Sequence, residues 1–554
     1  MGRLSSFYFI VATILLSSAK TVMHKVFPIP QEFEEGEDIL YIDPCLFEIA
    51  HNQNFAPIDI TPILTIYKSR IFGEKLNQCP SPSNNSLSPK HILNIHISSP
   101  ISEYFPSKIE STDESYSLEI TQDSTTIKAS QYSGLVHALE TFSRLIEPSK
   151  KIKNHYEIEN IPITLQDSPR FAYRGIMIDT SRHFLQVSTL MRVIDGMVMA
   201  KMSVLHWHIV DDDSFPMQSL SYPTLTNYAA FSSSQIYNST QIQNLVKYAN
   251  IRAIRIIPEF DNPGHVRAIG LSPTFLPLVT CFNKQWEYQM PNGPLIYGGP
   301  PTGALDPSNS QTYTFIQGIF QDLNAYFPDS YVHLGGDEVL FYCWSSVPAI
   351  VNFMKNNNIP SYSALTNYYI NRARGVLTAV NSTKTAIYWL NEATFYLQVK
   401  PTDILEFWGF TSNLTQLATL YPNNKIIVAT GDRYYLDCGM GNKYGGESWC
   451  DPFHTWWEIY ILEPTDYLSA DQILGGEVTM FAELVNDFVL DWKIWPRAAA
   501  MAQRYWNQNL PLNLTGLVSS LNALVNTMNS QGIGAGPIDS NFCNLNTNLC
   551  FGSP

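Results

Sequence analysis

From about residue 170 the sequence repeats one pattern: a short, nearly unbroken apolar run that ends on polar or charged residues, then a helical or loop segment. The runs are Gly175–Asp179, Val204–Asp211, Ala253–Asp261, Tyr331–Glu338, Thr385–Glu392, Asp403–Trp408, Lys425–Gly431 and Ile473–Glu483. A strand buried on both faces reads as continuous rather than alternating hydrophobicity, which is the signature of parallel sheets covered by helices. The first connection carries a helical stripe of Leu190, Val193, Ile194, Met197 and Val198, with Ser188 and Thr189 as expected caps. Eight strand–helix units predict a (β/α)8 TIM barrel, whose chemistry gathers at the carboxyl ends of the strands. The charged residues of the pattern fall there.

The preceding segment has a different character. Leu93–Ile97 and Tyr116–Ile120 alternate as half-buried strands do, and Leu135, Leu139, Phe142 and Ile146 recur at helical spacing between Gly134 and Pro148. His137 in that helix reads as a packing residue. The fold class is therefore α/β, a TIM barrel preceded by a small α+β domain. The expected division is 1–19 signal peptide, 20–168 accessory domain, and 169–554 barrel with a C-terminal tail. That tail holds a closing helix and a small disulfide-held end from Asn513. The signal rests on Arg3, the apolar run Phe7 to Leu16 and small residues to Ala19, a run too short to span a bilayer. No later stretch reads as a membrane span, so no stable membrane anchor is expected.

A signal peptide places the chain in the secretory pathway, lysosomal or extracellular, where disulfides persist. Eight cysteines allow 105 connectivities. The simplest pairs them in sequence: Cys45 with Cys79, Cys281 with Cys343, Cys438 with Cys450, Cys543 with Cys550. Glycosylation sequons begin at Asn84, Asn238, Asn381, Asn413 and Asn513, and Pro80–Pro89 reads as an exposed loop. With 34 basic and 49 acidic residues the net charge is −15 and no basic run stands out, which excludes nucleic acid as a partner.

The strongest chemical signal is His333-Leu334-Gly335-Gly336-Asp337-Glu338-Val339 at the end of the fourth run. A Gly-flanked loop leaving a strand lets two adjacent acids face one pocket. One can hold a proton in a water-poor setting while the other stays ionised. Three further strings end the runs before it: Asp179-Thr180-Ser181-Arg182-His183, His206-Trp207-His208-Ile209-Val210-Asp211-Asp212 and Pro258-Glu259-Phe260-Asp261-Asn262-Pro263-Gly264-His265. In this order, from about Phe171 to about Trp506, they resemble the glycoside hydrolase family 20 β-N-acetylhexosaminidases.

The resemblance implies a retaining, substrate-assisted reaction on terminal, non-reducing N-acetyl-D-hexosamine. The substrate's 2-acetamido oxygen attacks C1 and no enzyme carboxylate does. It implies Glu338 as general acid/base and Asp337 as the anion that orients and charges the acetamido group. Asp211 and His265 match a relay behind Glu338, and Arg182 matches an arginine that grips sugar hydroxyls. Tyr435 and Asp437, in Tyr434-Tyr435-Leu436-Asp437, match groups that bind the acetamido oxygen and the outer hydroxyls. Glu483 matches an acid near the 4-hydroxyl, and Trp408 matches part of an aromatic wall. His206 and His208 read as packing or support. The expected partners are glycans ending in β-linked GlcNAc or GalNAc, with no cofactor and no metal; the family often dimerises, so a homodimer is possible.

Two positions depart from the family pattern. Phe481-Ala482-Glu483 stands where the family has Trp-Gly-Glu, and Trp389-Leu390-Asn391-Glu392 has one residue more between Trp and Glu. Both Phe481 and Trp389 are still expected to bind substrate. The segment from Cys438 to Cys450, with Gly439, Gly441, Gly445 and Gly446, is expected to be a disulfide-closed loop beside Asp437 that shapes the site for the next sugar. Three other readings stay open on sequence alone. They are a metal-dependent barrel hydrolase using His206, His208, Asp211, His265 and His333, a non-catalytic N-acetylhexosamine-binding protein on the same fold, and a two-carboxylate retaining glycosidase with Asp211 or another acid as nucleophile.

Overall fold

The computed structural model describes residues 22–52, 58–79, 91–98, 103–284, 287–289, 295–297, 301–441, 448–507, 514–546 and 549–550. The expected signal peptide, the Pro80–Pro89 loop and the sequons at Asn84 and Asn513 lie outside them. All eight predicted runs form strands of one closed parallel barrel. In order they are Tyr173–Asp179, Val204–Val210, Arg255–Phe260, Tyr331–His333, Thr385–Leu390, Ile404–Phe407, Lys425–Val428 and Ile473–Met480. Almost every residue in them is buried, as continuous apolar runs require. The eighth strand closes against the first so tightly that a Cβ on Gly475 would overlap the Tyr173 carbonyl oxygen. The first connecting helix spans Val187–Met199 with Gln186 at its N-cap, so Ser188 and Thr189 lie inside the helix and do not cap it.

The accessory sheet runs in the order Glu32–Ile42, Tyr156–Asp167, Tyr116–Ile120, Ser124–Ala129, His91–Ile97, Phe47–His51, and Glu147–Pro148 pairs with the second of these. Burial alternates along His91–Ile97 and Tyr116–Ile120, as their sequence predicts. The expected helix spans Tyr132–Leu145 and lies almost wholly buried between the sheet and the barrel.

Two contacts fix the small domain to the barrel. Ile109 joins an apolar layer made of Tyr173, Val204, Ile257, Tyr331, Ile387, Ile404, Ile427 and Leu474, one residue from each barrel strand, and so plugs the floor. Beside it runs a seam of buried charge. Arg174 of the first barrel strand grips Glu114, which also lies 2.7 Å from His137 Nε2. Lys201 pairs with Asp167 at 3.1 Å and donates to the Tyr116 hydroxyl at 2.6 Å, and Trp506 donates to Asp167 at 2.8 Å. Burial works against the Glu114 carboxylate, but Arg174 and His137 outweigh it and hold its pKa at about 2.

The four disulfides pair the cysteines in sequence order. Among the described sequons, Asn238 is exposed and caps the helix Ser239–Ile251. Asn381 and Asn413 are half-buried and donate their side-chain amides to Asn324 and Glu392.

Candidate active site

At the end of the fourth strand the chain turns through Gly335 and Gly336 at φ 63° and 98°, and Glu338 itself takes φ 45°. Only glycine fits at 335, where a Cβ would overlap Asp261 Oδ1. Residues other than glycine held in the left-handed region cost about 1–3 kcal/mol and gather at functional sites. His265, at φ 54°, is the second such residue here. These two backbone twists bring His265 Nε2 to 3.4 Å from Glu338 Oε2, while its Nδ1 lies 3.3 Å from Asp211 Oδ1 and 3.6 Å from Asp212 Oδ2. The expected order Asp211, His265, Glu338 is present as a chain of contacts.

The adjacent acids are in opposite electrostatic states. The Glu338 side chain is 43% exposed at the mouth. Burial works to raise its pKa, but the hydrogen bond and charge of His265 prevail and lower it. Asp337 is more enclosed. Burial, reinforced by the charges of Glu338 and Glu259 and opposed by His265, pushes its pKa up to about 6. Its Oδ1 is buried with no hydrogen-bond partner. Asp261 accepts from the Gly336 N–H at 3.1 Å, and burial next to Asp337 raises it well above the carboxylate range.

Arg182 does not stand free. It is bonded to Asp179 at 3.1 Å and Asp211 at 2.7 Å, lies 3.6 Å from Asp213, and its guanidinium sits 5.5 Å from the centroid of Phe481. The Phe481 ring faces Tyr435 at 5.5 Å and Trp389 at 6.5 Å, and Tyr435, Trp408 and Phe481 pack together with the Cys438–Cys450 disulfide. Trp408 Nε1 and Asp437 Oδ1 are buried without partners. Burial, then the charge of Glu483, pushes the Asp437 pKa to about 7. Glu483 itself is exposed at the rim. Trp389 is placed differently from a side wall: its ring is buried and its Nε1 donates to Glu259 Oε1 at 2.7 Å, so it forms floor beneath Phe481. Glu392 turns away and accepts from Phe410 N at 2.9 Å.

Sequence reasoning gave no role to a polar layer inside the barrel. Glu259, Glu406 and Glu477, from the third, sixth and eighth strands, surround His206, His208 and His333. His208 sits between two carboxylates, Nδ1 at 2.5 Å from Glu259 and Nε2 at 2.9 Å from Asp211. His206 sits between Glu259 at 3.0 Å and Glu477 at 2.8 Å, and the Tyr173 hydroxyl also donates to Glu477. Burial lowers both histidines, but their carboxylates win: His206 rises to about 9 and His208 rises well above its usual value. Burial alone dominates at His333, which falls to about 4. Both oxygens of Glu406 lack a donor. A proton on Glu406, which burial and the charges of Glu477 and Glu259 favour, lets it donate to Glu477. Ligand atoms of His206, Glu259 and His333, and those of His206, Glu406 and Glu477, lie within 4.8 Å of one another inside the barrel, and those of Asp211, Asp212 and His265 and of Asp261, His265 and Asp337 do so at its mouth. Each ring faces a carboxylate, but His206 Nε2 and His333 Nε2 make no hydrogen bond, and His333 Nδ1 accepts from the Gly335 N–H at 3.1 Å.

The half-exposed Trp449, also unassigned from sequence, stands edge-on to Trp408 at 5.6 Å and Tyr435 at 5.1 Å and extends the aromatic wall outward. The signal for the interior acids was in the sequence: Glu259, Glu406 and Glu477 each interrupt an apolar run.

The chain matches the family model described as glycosyl hydrolase family 20, catalytic domain, over residues 171–509, and one described as beta-acetyl hexosaminidase like over residues 26–145. It is 32% identical to the beta-hexosaminidase subunit beta of Rattus norvegicus over 535 residues, which span 95% of this chain and 94% of that one. It is also 32% identical to beta-hexosaminidase subunit A1 of Dictyostelium discoideum, over 95% of this chain and 92% of that one. A solved chitobiase of Flavobacterium johnsoniae superposes with a TM-score of 0.73 at 26% identity, covering 96% of this chain and 76% of that chain. An exo beta-N-acetylglucosaminidase of Vibrio harveyi, solved with N-acetylglucosamine, shares the fold with a TM-score of 0.74 at 23% identity, covering 94% and 79%.

Proposed function

The chain belongs to glycosyl hydrolase family 20 and is a β-N-acetylhexosaminidase, and we propose that it works by retention, with the substrate's own acetamido oxygen as nucleophile. The observation that carries the mechanism is the adjacent pair in opposite states: Glu338 at the mouth against His265, and Asp337 behind it with a buried, unpartnered oxygen. A sugar seated on Phe481, Tyr435 and Trp408 directs its acetamido N–H at that oxygen. The acetamido oxygen attacks C1, the glycosidic C–O bond breaks, and the Glu338 proton goes to the departing oxygen. The positive charge on the acetamido nitrogen is met by the Asp337 anion, already in place. Glu338 then takes a proton from water as that water attacks C1 and restores the acetamido group. Because the nucleophile is tethered beside its target, no encounter entropy is lost.

In the empty site the proton favours Asp337, whose pKa is about 6, over Glu338. Two coupled acids titrate as a pair. A bound acetamido N–H favours the Asp337 anion, and sugar packed on Glu338 removes its water, so substrate binding moves the shared proton to the group that must donate it. Asp211 is a poor nucleophile here, since Arg182 and His208 occupy Oδ2 and His265 faces Oδ1.

The substrates are glycans ending in β-linked GlcNAc or GalNAc, with Asp437 and Glu483 at the outer hydroxyls and Trp449 toward the leaving group. The domains divide at 1–19, 20–168 and 169–554. Four disulfides and the apolar N-terminal run support passage through the secretory pathway to the lysosome or outside the cell. A homodimer is supported by the exposed apolar group Leu484, Phe488 and Trp492 beside the site, and a monomer mass by light scattering would reject it.

The test is hydrolysis of 4-nitrophenyl N-acetyl-β-glucosaminide beside the plain β-glucoside across pH 3 to 8, for wild type and Glu338→Gln. Turnover of the N-acetylated sugar alone, lost in the variant, is expected. Equal turnover of both sugars would sink the acetamido mechanism, and no turnover by folded protein would leave a sugar-binding protein.

A further inference from the structure

We propose that Glu259, inside the barrel and out of reach of substrate, is a positioning residue that sets the proton affinity of Glu338 through His208, Asp211 and His265. The inference rests on Glu338 being the general acid. The contacts run without a gap: Glu259 Oε2 to His208 Nδ1 at 2.5 Å, His208 Nε2 to Asp211 Oδ2 at 2.9 Å, Asp211 Oδ1 to His265 Nδ1 at 3.3 Å, His265 Nε2 to Glu338 Oε2 at 3.4 Å.

The chemistry of an imidazole gives the chain its direction. A neutral ring donates from one nitrogen only, and His208 meets a carboxylate at each. Both contacts are hydrogen bonds only when the ring carries two protons. Glu259 is thus the second anion that keeps His208 an imidazolium. Glu259 is held in turn by His206 at 3.0 Å and by the Trp389 N–H at 2.7 Å, with His333 Nδ1 at 3.1 Å. With Glu259 and Glu477 negative, His206 and His208 positive, and Glu406 and His333 neutral, the interior layer has no net charge.

Asp211 therefore faces two fixed cations, Arg182 and His208, on one oxygen, and His265 on the other. The cations absorb part of its charge and so limit how far Asp211 raises His265, which still lies well above the usual imidazole value. The looser that hold, the lower the pH at which His265 gives up its proton and the higher the pH to which Glu338 keeps its own. Besides His265, Glu338 feels Arg182, Asp211 and its neighbour Asp337; His208 feels Asp261 and touches the edge of Phe481.

Glu259→Gln removes the second anion and His208 releases its extra proton. One negative and one positive charge leave together, so the direct field at Glu338 changes little. What changes is the relay: Asp211, with Arg182 left as the full cation on its Oδ2, holds His265 cationic to still higher pH than in wild type, and Glu338 ionises earlier. The alkaline limb of kcat/KM on 4-nitrophenyl N-acetyl-β-glucosaminide should move to lower pH by about one unit. KM at the optimum should stay near wild type. His208→Gln, which cuts the chain in its middle, should move the limb the same way. An independent reading uses the wild-type protein alone: nitrogen NMR of the imidazoles, with His208 identified from the His208→Gln spectrum, should show both of its nitrogens protonated from pH 5 to 8. A limb that stays in place or moves up in a folded variant, or a bare nitrogen on His208 in wild type, overturns the proposal. Wild type without activity in the same assay would instead remove the acid/base reading beneath it.

Discussion

The mouth of the barrel and the seam beneath it are built from the same residue types, and they treat carboxylates in opposite ways. In the seam, Glu114 is bonded to Arg174 and His137 and its pKa sits at about 2. At the mouth, Asp337 and Asp437 each keep one buried oxygen without a partner, and burial pushes them to about 6 and about 7. A buried carboxylate that is matched by the fold holds the fold together. One left unmatched costs stability until something else supplies the donor, and in a sugar site the donor is substrate.

The sharpest way to break this contrast is Glu338→Gln. Removing the proton donor at the mouth should lower kcat about 10²–10⁴-fold or more, with thermal stability unchanged, in a steady-state assay with melting curves. Asp337→Asn should lower kcat about 10²–10³-fold, the range for loss of one group aimed at developing charge. It should also raise the melting temperature at pH 7 more than at pH 4. The sign follows from the raised pKa: against a usual 3.8, the buried anion costs stability increasingly up to about pH 6.

Glu114→Gln should do the reverse. It leaves Arg174 buried without its anion and should lose about 3 kcal/mol at pH 7 with kcat preserved. Because the Glu114 pKa lies at about 2 against a usual 4.5, its stabilisation is complete above the usual value and is lost as pH falls toward 2. The deficit of the variant, followed by melting temperature against pH, should therefore shrink below about pH 4.5. If Asp337→Asn and Glu114→Gln shift stability in the same direction at pH 7, the contrast fails. The smallest effect is at Phe481→Trp, where a larger stacking face should lower KM by a few-fold, or about 1 kcal/mol, at unchanged kcat.

Most of this architecture was legible in the sequence because buried parallel strands announce themselves by unbroken apolar runs, and all eight did. The adjacent acids were legible because Gly335 and Gly336 mark the turn that exposes them. What was not legible came from partners far apart in sequence. Arg182 is expected to grip sugar hydroxyls, and nothing in its string says that Asp179 and Asp211 will bond it with Asp213 close by. Glu259 stands inside an apolar strand, and nothing local says that His208, His206 and Trp389 will converge on it. The caps expected at Ser188 and Thr189 failed because the helix begins at Val187, with Gln186 at its N-cap, ahead of that polar flank.

The floor plug has a consequence for how the molecule is made. Ile109 packs on a ring of eight strand beginnings, with Ala172 beside it. During synthesis the amino-terminal portion leaves the ribosome first and folds as a unit. The lid for the barrel is thus in place before the last barrel strand emerges, so the floor of the ring is covered as soon as the ring closes.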